Sequence, residues 1–290
     1  MYFTGIADEA GAELDVQLKA TKELGWKFIE SRKIGSSSIA FMDDKAFYNV
    51  CEKLDKAKVK INCFASGIAN WAKPITEPPD SSYDEMKKAI PRMHTLGVKH
   101  IRIMSFNVPK ELREKDFTKE VIKRVKTLVK MAEDSGVICL HENCMNWGGL
   151  SYEHTLKLLD GIQSPAFKLV FDIGNPVFND DVRGKAPYKK QSAWEFYSAV
   201  KGQIAHIHVK DGRVENGKEV FSFPGEGDAD VKKIVKDLLD NGYDAGFSIE
   251  PHMVTVFHDA NAGKNNADEC YKNYVEYGKR FMKIVESCKK

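Results

Sequence analysis

VIKRVKTLVKMAEDSGVICLHEN, residues 121–143, holds one whole structural unit. Val121, Val125, Leu128 and Met131 recur at helical spacing, so they share one apolar face. Gly136 stands just past the end of that pattern. A helix commonly closes there on a left-handed residue, which glycine adopts without a Cβ clash. VICLHE (137–142) then reads as a strand buried on both faces, ending on the carboxylate of Glu142. The order is helix, glycine stop, apolar strand, polar strand end.

Outward from this stretch the same unit repeats. Strands are expected at YFTGI (2–6), KFIES (27–31), KINCFA (60–65), HIRIMS (100–105), FKLVFD (167–172), IAHIHV (204–209) and GFSIE (246–250), which with 137–142 makes eight. Leu14, Leu18, Thr21 and Leu24 form the apolar face of the first helix. Glycine stops recur at Gly25, Gly97, Gly202 and Gly242. Pro91, inside the third helical pattern, predicts a kink or an early start of the regular helix. Alternating strands and helices argue for a parallel sheet covered by helices. Eight units favour an α/β, (β/α)8 TIM barrel, a single domain over 1–290. The first strand leads into DEAGAE with no GxGxxG, which weighs against a dinucleotide-binding open sheet.

Composition narrows the function classes. Lys and Arg number 44 against 42 Asp and Glu, a net charge of +2 spread along the chain, unlike a nucleic-acid binder. Six cysteines without a CxxC pair read as free thiols in a reducing, cytoplasmic setting. No run approaches a membrane span, and the first strand pattern at Tyr2 leaves no room for a leader ahead of it. The expected partner is a small carbohydrate or polyol, with no nucleic acid and no membrane. A homo-oligomer is left open.

In such a barrel the active site lies at the C-terminal ends of the strands. Strands five to eight end in LHEN (140–143), VFDIGN (170–175), HIHVKD (206–211) and SIEPH (248–252), placing Glu142, Asp172, His208 and Glu250 at one level. Carboxylates so gathered repel and are costly to desolvate unless a cation or protons intervene. One divalent ion resolves the conflict. The mixed oxygen and nitrogen set suits Mn2+, Mg2+, Co2+ or Zn2+. His206, two residues below His208 on the same face, is expected as a hydrogen-bonded core histidine. Asn143 points away from Glu142 but starts a loop within reach of substrate.

HVKD (208–211), PGEGDAD (224–230) and NGYDAGFSIEP (241–251) carry a resemblance, along the whole chain, to the xylose isomerase-like TIM barrels and in particular to the sugar phosphate isomerase/epimerase group. The resemblance implies that Glu142, Asp172, His208 and Glu250 bind one divalent ion. It also implies that Glu142 and Glu250 flank the reacting carbon as catalytic acid and base. The expected reaction is isomerisation or epimerisation of a sugar or sugar derivative by proton abstraction next to a carbonyl, through a metal-stabilised enediolate. Loss of a β-hydroxyl from the same enediolate gives the alternative, a dehydratase or lyase acting on a keto-inositol or 3-keto sugar. Its additional acid is sought among His252 and His258 in the loop after strand eight. An endonuclease IV-like repair enzyme is the remote alternative. It needs histidines after strands three and four, where CFASG and IMSFN stand, and Asn175 occupies the position of a second-metal histidine.

Further substrate contacts are expected from Asn175, Lys210, Arg213 and Glu226, with Trp71 and Trp147 as apolar walls for a sugar ring. Glu30, ending strand two, is expected to meet substrate or to pair with Arg32.

Overall fold

The eight apolar runs form eight parallel strands within two residues of their expected bounds in a computed structural model, which describes residues 1–254 and 267–289. They are β1 (Tyr2–Gly5), β2 (Phe28–Ser31), β3 (Lys60–Phe64), β4 (His100–Ile103), β5 (Ile138–Glu142), β6 (Phe167–Asp172), β7 (Ile204–Val209) and β10 (Gly246–Ile249). Their order is β1-β10-β7-β6-β5-β4-β3-β2, and a parallel bridge from Ile6 to Glu30 brings the two ends of the sheet together. The result is a TIM barrel, with helices between the strands. An antiparallel hairpin, β8 (Gly212–Glu215) and β9 (Lys218–Phe221), rises beyond β7 and was not expected from the sequence.

Strand alternation sorts the side chains. Ile101, Ile103, Cys139, Phe171, Ile207 and Phe247 face outward and join the large core under the helices. Leu140, Val170 and Cys63 meet in a small separate cluster, the apolar floor inside the barrel. Along β5 and β6 the residues two positions above that floor are Glu142 and Asp172. The helix Thr118–Asp134 buries Val121, Val125, Leu128, Val129 and Ala132. Burying each of the larger of these stabilises the fold by about 1.5–3 kcal/mol.

Gly25, Gly97, Gly136 and Gly242 all have positive φ, as their place after a helix requires. Gly202 differs: it lies inside a 3-10 turn, Lys201–Gln203, that carries the chain into β7. The helix around Pro91 runs from Asp80 to Leu96 and includes the proline. Among the described residues no helix is long and apolar enough to cross a membrane, and all six cysteines are free. His258 lies outside the described residues.

Candidate metal centre

Register brings the strand ends together. Asp172 lies beside His208 across β6 and β7, His208 lies beside Ser248 across β7 and β10, and Glu250 donates its backbone N–H to Val209. One donor atom from each of Glu142, Asp172, His208 and Glu250 falls within 4.8 Å of the others, and all four residues are buried. His208 Nδ1 is 3.5 Å from Glu142 Oε1 and 3.8 Å from Glu250 Oε2.

The imidazole is held from behind. Its Nε2 lies 2.9 Å from Glu30 Oε1, while the other oxygen of Glu30 lies 2.8 Å from His206 Nε2. A carboxylate on one ring nitrogen fixes the tautomer that leaves the other nitrogen's lone pair facing the donors. Glu30 thus neither reaches the cavity nor pairs with Arg32, and His206 takes the core role expected of it. Burial alone would lower the pKa of the His208 imidazolium, yet Glu30 and Glu142 raise it to about 10. The surroundings call for positive charge at this point.

Cations line the opposite side. Arg102 Nη1 sits 3.2 Å from Glu142 Oε2. Arg32 reaches Glu250 Oε1 at 3.0 Å, Asp8 at 3.0 Å and Glu9 at 3.3 Å. Lys210 Nζ stands 3.1 Å from Asp172 Oδ2, 2.9 Å from Glu250 Oε2 and 3.1 Å from Asn175 Oδ1. Burial pushes Glu142 and Glu250 up. Their cationic neighbours outweigh it, Arg102 at Glu142 and Lys210 first at Glu250, and Glu250 ends well below the usual carboxylate range. At Asp172 burial wins, raising its pKa to about 6.

A divalent cation fits this donor set. Asp8, Glu9, Glu30, Glu142, Asp172 and Glu250 are buried acids, against Arg32, Arg102 and Lys210 as fixed cations, an imbalance that persists with neutral histidines. Glu142 Oε2, Glu250 Oε2 and His208 Nδ1 are buried without a hydrogen-bond partner, because Arg102 and Lys210 lie close to those oxygens but are not aligned to donate. Buried polar atoms left so are costly unless another ligand takes them. Two neighbouring groups are committed elsewhere: Glu30 hydrogen-bonds both His206 and His208, and Arg32 bridges Glu9 and Glu250 beside His252.

Glu142 and Glu250, of the four donors, line the floor of a cavity of about 500 Å³. Asn175, Lys210 and Trp71 lie on its wall, as do Arg32, Arg102 and His252. Asn175 also bonds Glu142 Oε1 at 3.3 Å, and its backbone N–H caps Asp172. The remaining expected contacts lie elsewhere. Asn143 spends its amide on the backbone of Asp172, accepting from N–H at 2.7 Å and donating to C=O at 2.9 Å, which ties β5 to β6 above the sheet. Trp147 is buried under its loop, edge-on to His154. Arg213 projects from the hairpin, ion-paired with Glu215, and Glu226 pairs with Arg280. Both side chains lie off the cavity wall, which the hairpin meets instead through Glu219 and Phe221 of β9.

Sequence reasoning missed Arg102 and undervalued Arg32, Glu30 and Asp8–Glu9. A signal was present: Arg102 and Glu30 are ionisable residues at inward positions of apolar strands, where only a partner of opposite charge makes burial tolerable. The PGEG segment has a structural cause as well. Asp211 accepts from the backbone N–H groups of Gly212, Gly225, Gly227 and Ala229, and a Cβ on Gly227 would come within 2.3 Å of its carboxylate.

Comparison with known proteins agrees with this architecture. The family model described as "Xylose isomerase-like TIM barrel" matches residues 18–274. An inosose dehydratase of Clostridium perfringens is 22% identical over 263 residues, covering 84% of this chain and 78% of that protein. Another from the same species is 27% identical over 135 residues, 41% of this chain and 42% of its own length, so that match spans less than half of the relative. Among solved structures, a D-tagatose 3-epimerase-like protein superposes with a TM-score of 0.71 at 19% identity, over 99% of each chain. A xylose isomerase-like TIM barrel protein from Mycobacterium smegmatis in complex with magnesium gives 0.69 at 15% identity, over 98% of this chain and 97% of the other. At those identities the structural likeness speaks to the fold.

Proposed function

Since the chain belongs to the xylose isomerase-like TIM barrel family, we propose that it is a divalent-metal-dependent enzyme that removes a proton next to the carbonyl of a polyhydroxylated substrate, as an isomerase or epimerase. The observation that carries this reading is the convergence of Glu142, Asp172, His208 and Glu250 at the base of a sugar-sized cavity, with three donor atoms lacking hydrogen bonds. When bound there, a divalent ion supplies Lewis acidity to a carbonyl and charge stabilisation to the oxyanion that follows proton loss.

The chain's own residues supply the rest. Glu142 and Glu250 enter the centre from β5 and from the end of β10, both facing His208 Nδ1. One, ionised, takes the proton from the carbon beside the carbonyl, and the other, protonated from solvent, delivers a proton to that carbon from the far face or to its neighbour. Arg102 at Glu142, and Lys210 ahead of Arg32 at Glu250, favour the ionised form of each carboxylate. Lys210 and Asn175 present donors from the wall, where they orient substrate hydroxyls. Trp71 offers an apolar surface to the C–H face of a ring.

A second reading is loss of water from the same intermediate. It is favoured by the relatives named inosose dehydratase and by His252, whose Nε2 lies 3.8 Å from Glu250 Oε1 on the cavity wall. An imidazole there is placed to protonate a departing hydroxyl. One experiment addresses both readings. The protein, stripped with EDTA and reloaded with Mn2+, Mg2+, Co2+ or Zn2+, is incubated with ketohexoses and keto-inositols in D2O. Deuterium uptake without mass loss supports the isomerase or epimerase. Loss of about 18 Da, the mass of one water, supports the dehydratase. No uptake and no product with any metal would remove proton abstraction altogether.

A further inference from the structure

A second cavity of about 380 Å³ adjoins the first and shares Trp71, Cys144, Met145, Phe178 and Glu219 with it as common wall. It is built on the loops after β4, β5 and β6, and it lies on the side of that wall away from Lys33, Arg32 and His252. Its surface mixes Val108, Pro109 and Leu150 with amides such as Asn107 and Asn179. The far end is polar and fixed: Asp180 pairs with Arg113 at 3.4 Å and with Lys190 at 2.9 Å. Apolar patches between amides and paired charges suit a ring bearing hydroxyls, which offers C–H faces and O–H edges together.

Size makes the argument specific. At roughly 30 Å³ for one water, the first cavity has space for about sixteen water-sized groups, and the second for about a dozen. A single six-carbon sugar has about twelve non-hydrogen atoms, so it is accommodated by the first cavity alone. The proton-abstraction chemistry leaves the second space without use.

We propose that the natural substrate is a ketone-bearing sugar joined to a second, ring-sized group, and that the second cavity receives that group. This rests on the reading above only for where the reacting sugar lies. Specificity for the attached group then resides in the loops after β4, β5 and β6, and the metal-centre residues handle the ketone whatever is attached to it.

Isothermal titration of the Mn2+-loaded protein with fructose, turanose, maltulose and isomaltulose tests this. The last three are fructose carrying a glucose ring at different hydroxyls. At least one of them is expected to bind tenfold or more tightly than fructose. Asn179→Trp, which fills the second cavity, is expected to bring that ratio to about one, whereas Asn179→Ala, which leaves the space open, keeps it. Thermal unfolding and circular dichroism verify that both variants fold, and Asn107→Trp replaces the first if it does not. Equal binding of fructose and all three disaccharides overturns the proposal, and so does a ratio that survives filling of the cavity. If fructose and the keto-inositols bind or exchange while the disaccharides gain nothing, only this inference fails. If none of these sugars binds or exchanges with any metal, the proton-abstraction reading fails and takes this one with it.

Discussion

The two halves of the barrel divide the work of the site. Strands β5, β6, β7 and β10 contribute the donors Glu142, Asp172, His208 and Glu250. Strands β1 to β4 and their ends contribute what surrounds them: Asp8, Glu9, Glu30, Arg32 and Arg102. The donor half presents charge toward a shared centre. The other half reaches across the barrel to counter that charge or hold it in orientation. Apart from Lys210, which answers Asp172 and Glu250 from within the donor half, a buried acid in one half is met by a buried base or imidazole in the other, and this asymmetry can be tested by breaking each half separately.

The largest effect is expected in the donor half. Glu142→Gln and Glu250→Gln each remove an acid–base group and a candidate ligand while keeping nearly the same shape. Solvent deuterium exchange into substrate should fall by about 10²–10⁴-fold in either variant. Binding of Mn2+, followed by calorimetry, should weaken in both. Full exchange in either variant would show that its carboxylate does not move the proton.

Next comes the counter-charge. Arg102 is buried, it donates to the carbonyls of Ala65 and Ser66, and it faces Glu142. Arg102→Met leaves Glu142 as a buried charge without its partner, a loss of about 3–5 kcal/mol for a pair broken from one side. Chemical denaturation of the metal-free protein should register it. Adding Glu142→Gln to the same chain should recover part of the loss, since the unpaired charge is then gone. If the double variant is less stable than Arg102→Met by the full single-variant cost of Glu142→Gln, the two residues do not act as a pair.

Glu30→Gln probes orientation rather than charge. Glu30 touches neither the donors' oxygens nor the cavity. It holds His208 through Nε2 and shares its second oxygen with His206. A glutamine there can serve both histidines only by using its NH2 toward one of them, which disturbs the tautomer. Metal affinity should fall by about 10–100-fold, with global stability less affected than in Arg102→Met. An unchanged affinity would mean that the orientation of His208 is set by packing alone.

How much of this could be read in advance follows the same division. The donor half was legible because its signals are local: an apolar strand that stops on a metal-competent side chain, four times, at one level of the barrel. The register that sets Asp172 beside His208 follows from the fold class. The other half was poorly legible because its partners are remote in sequence. Glu30 meets His208 across 178 residues and Arg32 meets Glu250 across 218. No spacing rule links such pairs. What a sequence does show is the anomaly of an arginine or glutamate facing inward from a strand, and that anomaly points to a pair without naming the partner. The hairpin was missed for a different reason: RVENGKEV is short and polar, and its Asn216-Gly217 turn reads equally as loop.

That hairpin sets the smallest expected effect. Arg213 and Glu226 stand near strand ends that feed the site, which made them candidates, yet the hairpin gives the cavity Glu219 and Phe221 of β9, while Arg213 on β8 and Glu226 after β9 stay off its wall. Arg213 is paired with Glu215 and donates to the Glu226 carbonyl, and the Glu226 carboxylate turns to Arg280 on the last helix. These are exposed pairs, screened by solvent, and neither side chain lies on the cavity wall. Arg213→Ala and Glu226→Ala should therefore leave metal affinity and deuterium exchange within about twofold of the parent, a scale appropriate to exposed pairs. Asp211→Asn is the contrast two residues away: its carboxylate organises four backbone N–H groups of the same segment. If Arg213→Ala lowered exchange tenfold while Asp211→Asn did not, β8 would have to face substrate beside Glu219 and Phe221 of β9, and the cavity wall would extend outward to include it.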